Sequence, residues 1–215
     1  MPSAPVDRAL TDRIVWIDCE MTGLSLTDDA LIEVAALVTD FELNQLGEGV
    51  DIVIRPSDAA LAQMGDFVRE MHTGSGLLDA LAAGTTLEDA QAQVMAYVTE
   101  FVPESRKAPL GGNTVATDRG FLARDMPELE AHLHYRIIDV SSIKELSRRW
   151  YPRAVFAAPA KAGGHRALGH PRVDRRAALL PRGGLRGPAR PDIRGTAGDR
   201  RSTRGRRHPL LAGTM

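Results

Sequence analysis

The stretch that decides the fold is RIVWIDCEMTGL, residues 13–24. It begins as an apolar run rich in β-branched and aromatic residues, which predicts a strand, and it carries Asp18 and Glu20 one residue apart. Alternate side chains of a strand share a face, so both acids point one way and Cys19 points the other. Two buried carboxylates repel each other unless a counter-charge compensates them. A divalent cation such as Mg²⁺ would do so, whereas the alternative is an exposed edge strand with two solvated acids.

Four more strands are predicted around this stretch. LIEVAALVTD (31–40) and GVDIVIRP (49–56) lie close enough to the first strand in the chain to form an antiparallel meander with it. Two later strands are predicted at APLGGN (108–113) and YRIIDV (135–140). With the helices between them, these strands predict an α/β domain with a mixed five-stranded sheet flanked by helices.

Helical periodicity appears before, between and after the two later strands. Apolar residues recur at helical spacing over 58–71, and TLEDAQAQVMAYVTEFV (86–102) combines a threonine cap, an acidic first turn and an apolar face. The segment 117–134 predicts two helical pieces broken at Pro127. SSIKELSRRWYP (141–152) predicts a helix with a serine cap that ends at its proline.

Three residues outside the first strand are candidates for chemistry. Asp118 opens a helix after a glycine-ended strand, where α/β sheets place functional groups, although a plain N-cap is the alternative. Asp139 is a second strand acid, and it could equally cap the helix that follows. His165 in KAGGHRAL follows a Gly-rich loop and would suit a general base for a metal-bound water, although a surface loop histidine has the same appearance.

Composition limits the setting of the protein. A single cysteine excludes an internal disulfide and zinc clusters built on several thiolates, and it favours a reducing, cytoplasmic location. The first residues, MPSAPVDRALTDR, lack the apolar region of a secretory signal. No apolar run approaches the length that spans a membrane, so we expect no membrane association.

Charge is distributed unevenly along the chain. Residues 169–215 contain 12 Arg and 3 Asp, a balance of +9, whereas residues 1–168 have a balance of −10. The basic segment also has 8 Gly, 5 Pro and no aromatic residue, so it can bury little apolar surface. We therefore expect a flexible N-terminus over 1–11, a folded domain over 12–168 and a disordered or irregular tail over 169–215.

Several motifs together resemble the oligoribonucleases, small 3′-to-5′ exoribonucleases of the DEDDh group with a ribonuclease H-like fold. The motifs are WIDCEMTGL, LIEVAALVTD, MHTGSGL, GNTVATDRGFLARDMPELEAHLHYRIIDVSSIKELSRRWYP and KAGGHRAL. The resemblance implies an enzyme that degrades short single-stranded RNAs, from dinucleotides to pentanucleotides, to mononucleotides. It also implies a homodimer and two divalent ions, Mg²⁺ or Mn²⁺, of which one activates water and the other steadies the leaving 3′-oxygen.

The resemblance also implies roles for individual residues. Asp18, Glu20 and Asp118 would be metal ligands, and His165 would be the general base. Tyr135 would act from the other subunit of the homodimer. The implied substrate-binding residues, which wedge or cap the terminal bases or lie near phosphate, are Leu24, Phe67, His72, Thr114, Arg136 and Ser141. Phe67 stands where the family has tryptophan, a change that keeps an aromatic face for stacking.

The resemblance ends at Leu168. The family has a fourth acid five residues after the histidine, and this chain has His170 there. Codons exist for which residues 169–183, read one base later from within the Gly169 codon, give an amphipathic helix that begins with the missing aspartate. We interpret 169–215 as the product of a frameshift, with a genuine RNA-binding tail as the alternative. Without the fourth acid the second ion would be held weakly, and we expect the chain to be inactive or nearly so.

Two other functions fit parts of the sequence. A related proofreading-type exonuclease acting on DNA would share the acids, and a series of substrate lengths would distinguish it. A non-catalytic protein that binds RNA through the basic tail would show salt-sensitive binding without hydrolysis.

Overall fold

The computed structural model describes residues 12–152 of the 215-residue chain. The predictions for His165, His170, the N-terminal segment 1–11 and the tail 169–215 lie outside these described residues.

The centre of the fold is a mixed five-stranded sheet in the order β3-β2-β1-β4-β5. Its strands are β1 (Arg13–Met21), β2 (Leu31–Asp40), β3 (Gln45–Val53), β4 (Pro109–Gly112) and β5 (His134–Asp139). The first three pair antiparallel, and β4 pairs parallel with both β1 and β5. The predicted sheet and its meander are confirmed. Since β1 is the middle strand, its two acids do not lie on an exposed edge, and that alternative is wrong.

Seven α-helices surround the sheet in the described part of the chain. They are α1 (Asp58–Ala62), α2 (Asp66–Ser75), α3 (Leu77–Ala80), α4 (Leu87–Phe101), α5 (Ala116–Asp125), α6 (Pro127–His132) and α7 (Val140–Trp150). Thr86 caps α4 as predicted, because its side chain accepts the Asp89 N–H. Among residues 12–152, no helix combines the length and apolar character needed to cross a bilayer.

Three local predictions were wrong. The single helical period over 58–71 is two helices, because Gly65 adopts an extended backbone and becomes the N-cap of α2. Strand β3 begins at Gln45 and not at residue 49. Within the strand Gly47 has φ +67°, and a Cβ there would lie 2.7 Å from the Phe101 ring, so a side chain would collide with α4. The cap of α7 is Asp139 and not a serine, since its carboxylate accepts the Ser141 N–H.

The core lies on both faces of the sheet. Helices α4, α5 and α6 contribute to the larger cluster, in which Val15, Ile17 and Cys19 of β1 are buried. On the opposite face, Trp16 packs with Ile14 and Leu37, and its Nε1–H donates to Thr39 Oγ1 at 2.9 Å. This alternation fixes which face each acid of β1 occupies.

Candidate active site

Strand β1 carries two acids at its C-terminal end. Asp18 and Glu20 are half-buried, while Cys19 between them is buried in the larger core cluster. Trp16 belongs to the opposite cluster, so the period of two places both carboxylates on the Trp16 face, as the sequence predicts. The central strand therefore presents paired acids where its apolar run ends.

Asp118 joins this strand from helix α5. It lies in the first turn of the helix and is 7% exposed, and its Oδ1 accepts the backbone N–H of Cys19 at 2.9 Å. Val115 is the N-cap of α5, so the interpretation of Asp118 as a plain cap is wrong. The third predicted acid is thus hydrogen-bonded to the residue that separates the other two.

Negative charge and burial determine the electrostatics here. Burial is the main cause that raises the pKa of Asp118, and the charge of Glu20 adds to it, while N–H donors including that of Cys19 oppose it. The pKa of the Cys19 thiol is raised well above its ordinary value, chiefly by burial and then by the charges of Asp118 and Asp18. Cys19 therefore stays a neutral thiol, and the carboxylates are the available metal donors.

The three carboxylates have the donor chemistry that Mg²⁺ and Mn²⁺ prefer. Hard divalent ions take oxygen ligands, and a cation beside Asp118 would offset the unfavourable burial of its charge. Within residues 12–152, no three His, Cys, Asp or Glu side chains already converge into a complete ligand cluster. Asp18, Glu20 and Asp118 thus fit a divalent ion by chemistry and by shared location, without forming a closed ligand cage.

The segment after β1, residues 22–30, presents Leu24, whose side chain is 77% exposed. Asp29 holds the segment closed: its Oδ1 accepts the Thr22 hydroxyl and its Oδ2 accepts the Ser25 N–H, each at 2.9 Å. Arg124 of α5 donates to the backbone carbonyls of Leu26 and Asp29. The predicted wedge residue therefore stands on a segment that is braced from two sides.

Helix α2 carries two predicted substrate residues in different environments. Phe67 is 80% exposed, so its ring is available for stacking. His72 is 1% exposed, and its Nε2 lies 3.0 Å from the carbonyl oxygen of Met21, the residue after Glu20. His72 ties α2 to the end of β1, and its predicted contact with a terminal base stays a prediction.

Thr114 and Ser141 come together beside Asp139. Their hydroxyl oxygens are 2.8 Å apart, although the residues belong to different connections of the sheet. Strand β5 carries Tyr135 and Arg136 at the edge of the sheet. Tyr135 is 71% exposed, its ring stacks on His134 at 4.4 Å, and the Arg136 guanidinium lies 5.4 Å from the ring centre.

Two partners of the site were missed in the sequence. Asp29 belongs to no recognisable motif. Only the folded segment places its carboxylate against Ser25 and Thr22, four and seven positions earlier. The four hydrogen bonds that Asp139 accepts from three residues were also missed, although its position between a strand and a helix was the signal that could have indicated them. The partners of Asp29 lie within the same turn, and Thr114 lies 25 positions from Asp139, so neither set could be identified from the local sequence pattern.

Comparisons with known proteins agree with this geometry. A family model described as Exonuclease matches residues 15–169. An oligoribonuclease from Streptomyces avermitilis is 76% identical over 159 residues, which are 74% of this chain and 80% of the relative. An oligoribonuclease from Rhodococcus jostii is 64% identical over 160 residues, again 74% and 80% of the two chains.

A solved structure has the same fold. The zinc-bound complex of Escherichia coli exonuclease I with single-stranded DNA matches with a TM-score of 0.52 and 18% identity, over 66% of this chain. This chain spans 31% of the length of exonuclease I, and at this identity the likeness concerns the fold alone. The predicted exonuclease fold is thereby confirmed. The family model and the sequence identities show that the chain belongs to the oligoribonuclease family.

Proposed function

We propose that this chain is a 3′-to-5′ exoribonuclease that hydrolyses short single-stranded RNAs, from dinucleotides to pentanucleotides, to mononucleotides. The observation that carries the proposal is the buried Asp118 hydrogen-bonded to Cys19 between Asp18 and Glu20. Burial of an acid costs free energy unless hydrogen bonds or a counter-charge compensate it, and acids perturbed in this manner cluster at functional sites. Family membership supports the same activity, since relatives of high identity are oligoribonucleases.

Asp18, Glu20 and Asp118 would hold the divalent ions, for which we propose Mg²⁺ or Mn²⁺. When bound, the ions polarise the scissile phosphate and lower the pKa of a water molecule. The three carboxylates would hold the ions on one side of the strand end, because Asp118 is fixed to the backbone of the strand that bears the other two. We assign proton removal from the water to His165, which lies outside the described residues.

The remaining residues would position a short substrate. Leu24 and Phe67 both expose apolar side chains, which suits them to wedge and stack against the terminal bases. Thr114 and Ser141 offer adjacent hydroxyl donors for phosphate. For Tyr135 and Arg136, which lie on the sheet edge, we propose a role across a homodimer in which Tyr135 serves the partner's site.

His170 at the position of the fourth family acid is the second part of the proposal. An imidazole there supplies one nitrogen in place of carboxylate oxygens, so a hard divalent ion is held less tightly. We therefore propose a folded domain over 12–168 that is inactive or nearly so, followed by a tail over 169–215 that is not part of the family domain. Sequencing of the gene around codon 169 would test the frameshift directly.

The activity is tested with the purified full-length chain, Mn²⁺ and 5′-labelled oligoribonucleotides from two to ten nucleotides long. We expect stepwise loss of 3′ nucleotides, fastest for the shortest RNAs, at a rate well below that of the Streptomyces avermitilis relative. Asp118→Asn should abolish turnover, because the amide removes the charge while keeping one oxygen acceptor for the Cys19 N–H.

A chimera in which residues 1–168 precede the relative's C-terminal segment separates the two parts of the proposal. Recovery of turnover in the chimera, lost again with Asp118→Asn, would support both parts. Full turnover in the unaltered chain would refute the impairment alone. Equal cleavage of matched DNA would favour the DNA-directed exonuclease. Salt-sensitive RNA binding by the unaltered chain that is lost in the chimera, with no turnover in either protein, would favour the binding protein.

A further inference from the structure

One acid near the proposed site has no part in the mechanism described above. Asp139, at the junction of β5 and α7, accepts four hydrogen bonds through its carboxylate. Oδ1 accepts the Thr114 N–H at 2.9 Å and both the N–H and hydroxyl of Ser141 at 3.0 Å. Oδ2 accepts the Ser142 hydroxyl at 2.8 Å. Although partial burial works against the charged form, these hydrogen bonds from Ser142, Thr114 and Ser141 lower the pKa of Asp139.

The backbone of Thr114 depends on this acid. Thr114 has φ +61°, in the left-handed region that a β-branched residue rarely occupies. Such a conformation persists where surrounding interactions hold it, and the hydrogen bond from its N–H to Asp139 is one such interaction. The side chain of Thr114 is thereby directed toward Ser141, with the two hydroxyl oxygens 2.8 Å apart.

Further contacts join the same two turns. Gly112 of β4 is the register partner of Asp139 in β5, so the turn that follows β4 begins beside the acid. Lys144 in α7 donates from Nζ to the Asn113 side-chain oxygen at 3.1 Å. The turn before α5 and the first turn of α7 are therefore linked at their backbone, at Asp139 and at Lys144.

We infer that Asp139 is a positioning residue that holds the Thr114 and Ser141 hydroxyls together as a pair of donors for a phosphate other than the scissile one, which in a dinucleotide is the terminal 5′-phosphate. This inference rests on the proposed function. A hydroxyl can rotate toward a phosphate oxygen while Asp139 keeps the two backbone N–H groups, so the pair stays in place when it changes its partner. Pre-positioned donors lose less conformational freedom on binding than two independent side chains do.

The test compares two dinucleotides, one with a 5′-phosphate and one without, in binding titrations of the full chain in EDTA, where no turnover occurs. We expect Asp139→Ala to weaken binding of the phosphorylated dinucleotide by about tenfold, the scale of one hydrogen bond to a charged group, and to change the other much less. Ser142→Ala is the matched control, since it removes only the Oδ2 contact. The affinity of Asp139→Asn for the phosphorylated dinucleotide should lie between those of the other two variants, because asparagine keeps one oxygen acceptor. This variant also keeps the test informative if the alanine variant misfolds.

Hydrogen exchange of the Thr114 amide gives a readout independent of the ligand. Its exchange should accelerate in Asp139→Ala and stay unchanged in Ser142→Ala, because only the first variant removes its acceptor. Equal losses for both dinucleotides would mean a general structural role and would overturn the inference. A wild-type chain that binds neither dinucleotide in EDTA would overturn the inference, whereas failure of the proposed function is read separately, as absence of turnover with Mn²⁺ in the chimera.

Discussion

Replacement of Asp29 by alanine should weaken both the fold and the binding of RNA. The Asp29 carboxylate accepts the Thr22 hydroxyl on Oδ1 and the Ser25 N–H on Oδ2, and the Thr22 side chain is buried. A hydrogen bond to a charged group contributes about 1.5–3 kcal/mol, and partial exposure of the Ser25 contact reduces its share. We therefore expect the free energy of unfolding to fall by about 2–4 kcal/mol, a large part of the margin of an ordinary domain.

The packing at Gly23 adds to this expectation. A Cβ at Gly23 would lie 2.4 Å from Asp29 Oδ2, so the backbone of the segment that bears Leu24 closes directly on the carboxylate. Removal of the carboxylate leaves a gap there, and Leu24 loses its fixed orientation. We expect a lower affinity for a dinucleotide in addition to the loss of stability.

Urea unfolding and thermal unfolding followed by circular dichroism measure the effect. For a domain of this size the thermal midpoint should fall by roughly 5–15 °C. Asp28→Ala is the matched control, because it removes the same charge one residue away. Within residues 12–152 the exposed Asp28 carboxylate accepts hydrogen bonds only from the surface hydroxyls of Ser25 and Thr27. Asp29→Asn should lose about half as much as alanine, because one amide oxygen can replace only one of the two acceptors. If Asp29→Ala and Asp28→Ala unfold at the same urea concentration, the reasoning is wrong.

Two further predictions concern stability. Tyr97→Phe should lower the free energy of unfolding by about 1–3 kcal/mol, because the Tyr97 hydroxyl is the acceptor for the buried N–H of Val38 at 3.0 Å and donates to the Leu46 carbonyl at 2.8 Å. Chemical unfolding measures this loss, and a variant as stable as wild type would contradict it. The stability of Asp139→Asn should fall less than that of the wild type as the pH is lowered. The folded pKa of Asp139 lies below its ordinary value of 3.8, so its contribution is present above that pH and disappears as the pH falls through the folded pKa. Thermal midpoints from neutral pH to about pH 2.5 should converge for the two proteins, and parallel curves would exclude this contribution.

Local sequence determined the main elements of this protein. The strand at 13–20, the capped helix after Thr86 and the break at Pro127 follow from periodicity and from cap and breaker residues, which act within a few positions of the chain. The period of two in β1 also determined that Asp18 and Glu20 share a face. These features needed no knowledge of distant segments.

Tertiary structure decided how the acids are used. By sequence Asp118 could be a cap or a site residue; in the fold Val115 is the cap, and Asp118 contacts Cys19, 99 positions away, between Asp18 and Glu20. The same holds for Asp139, whose carboxylate joins Thr114 across 25 positions, and for His72, which is buried against the Met21 carbonyl across 51. A side chain's local pattern cannot specify partners that only chain folding brings within hydrogen-bonding distance, so these roles became visible only when the sheet placed its strand ends side by side.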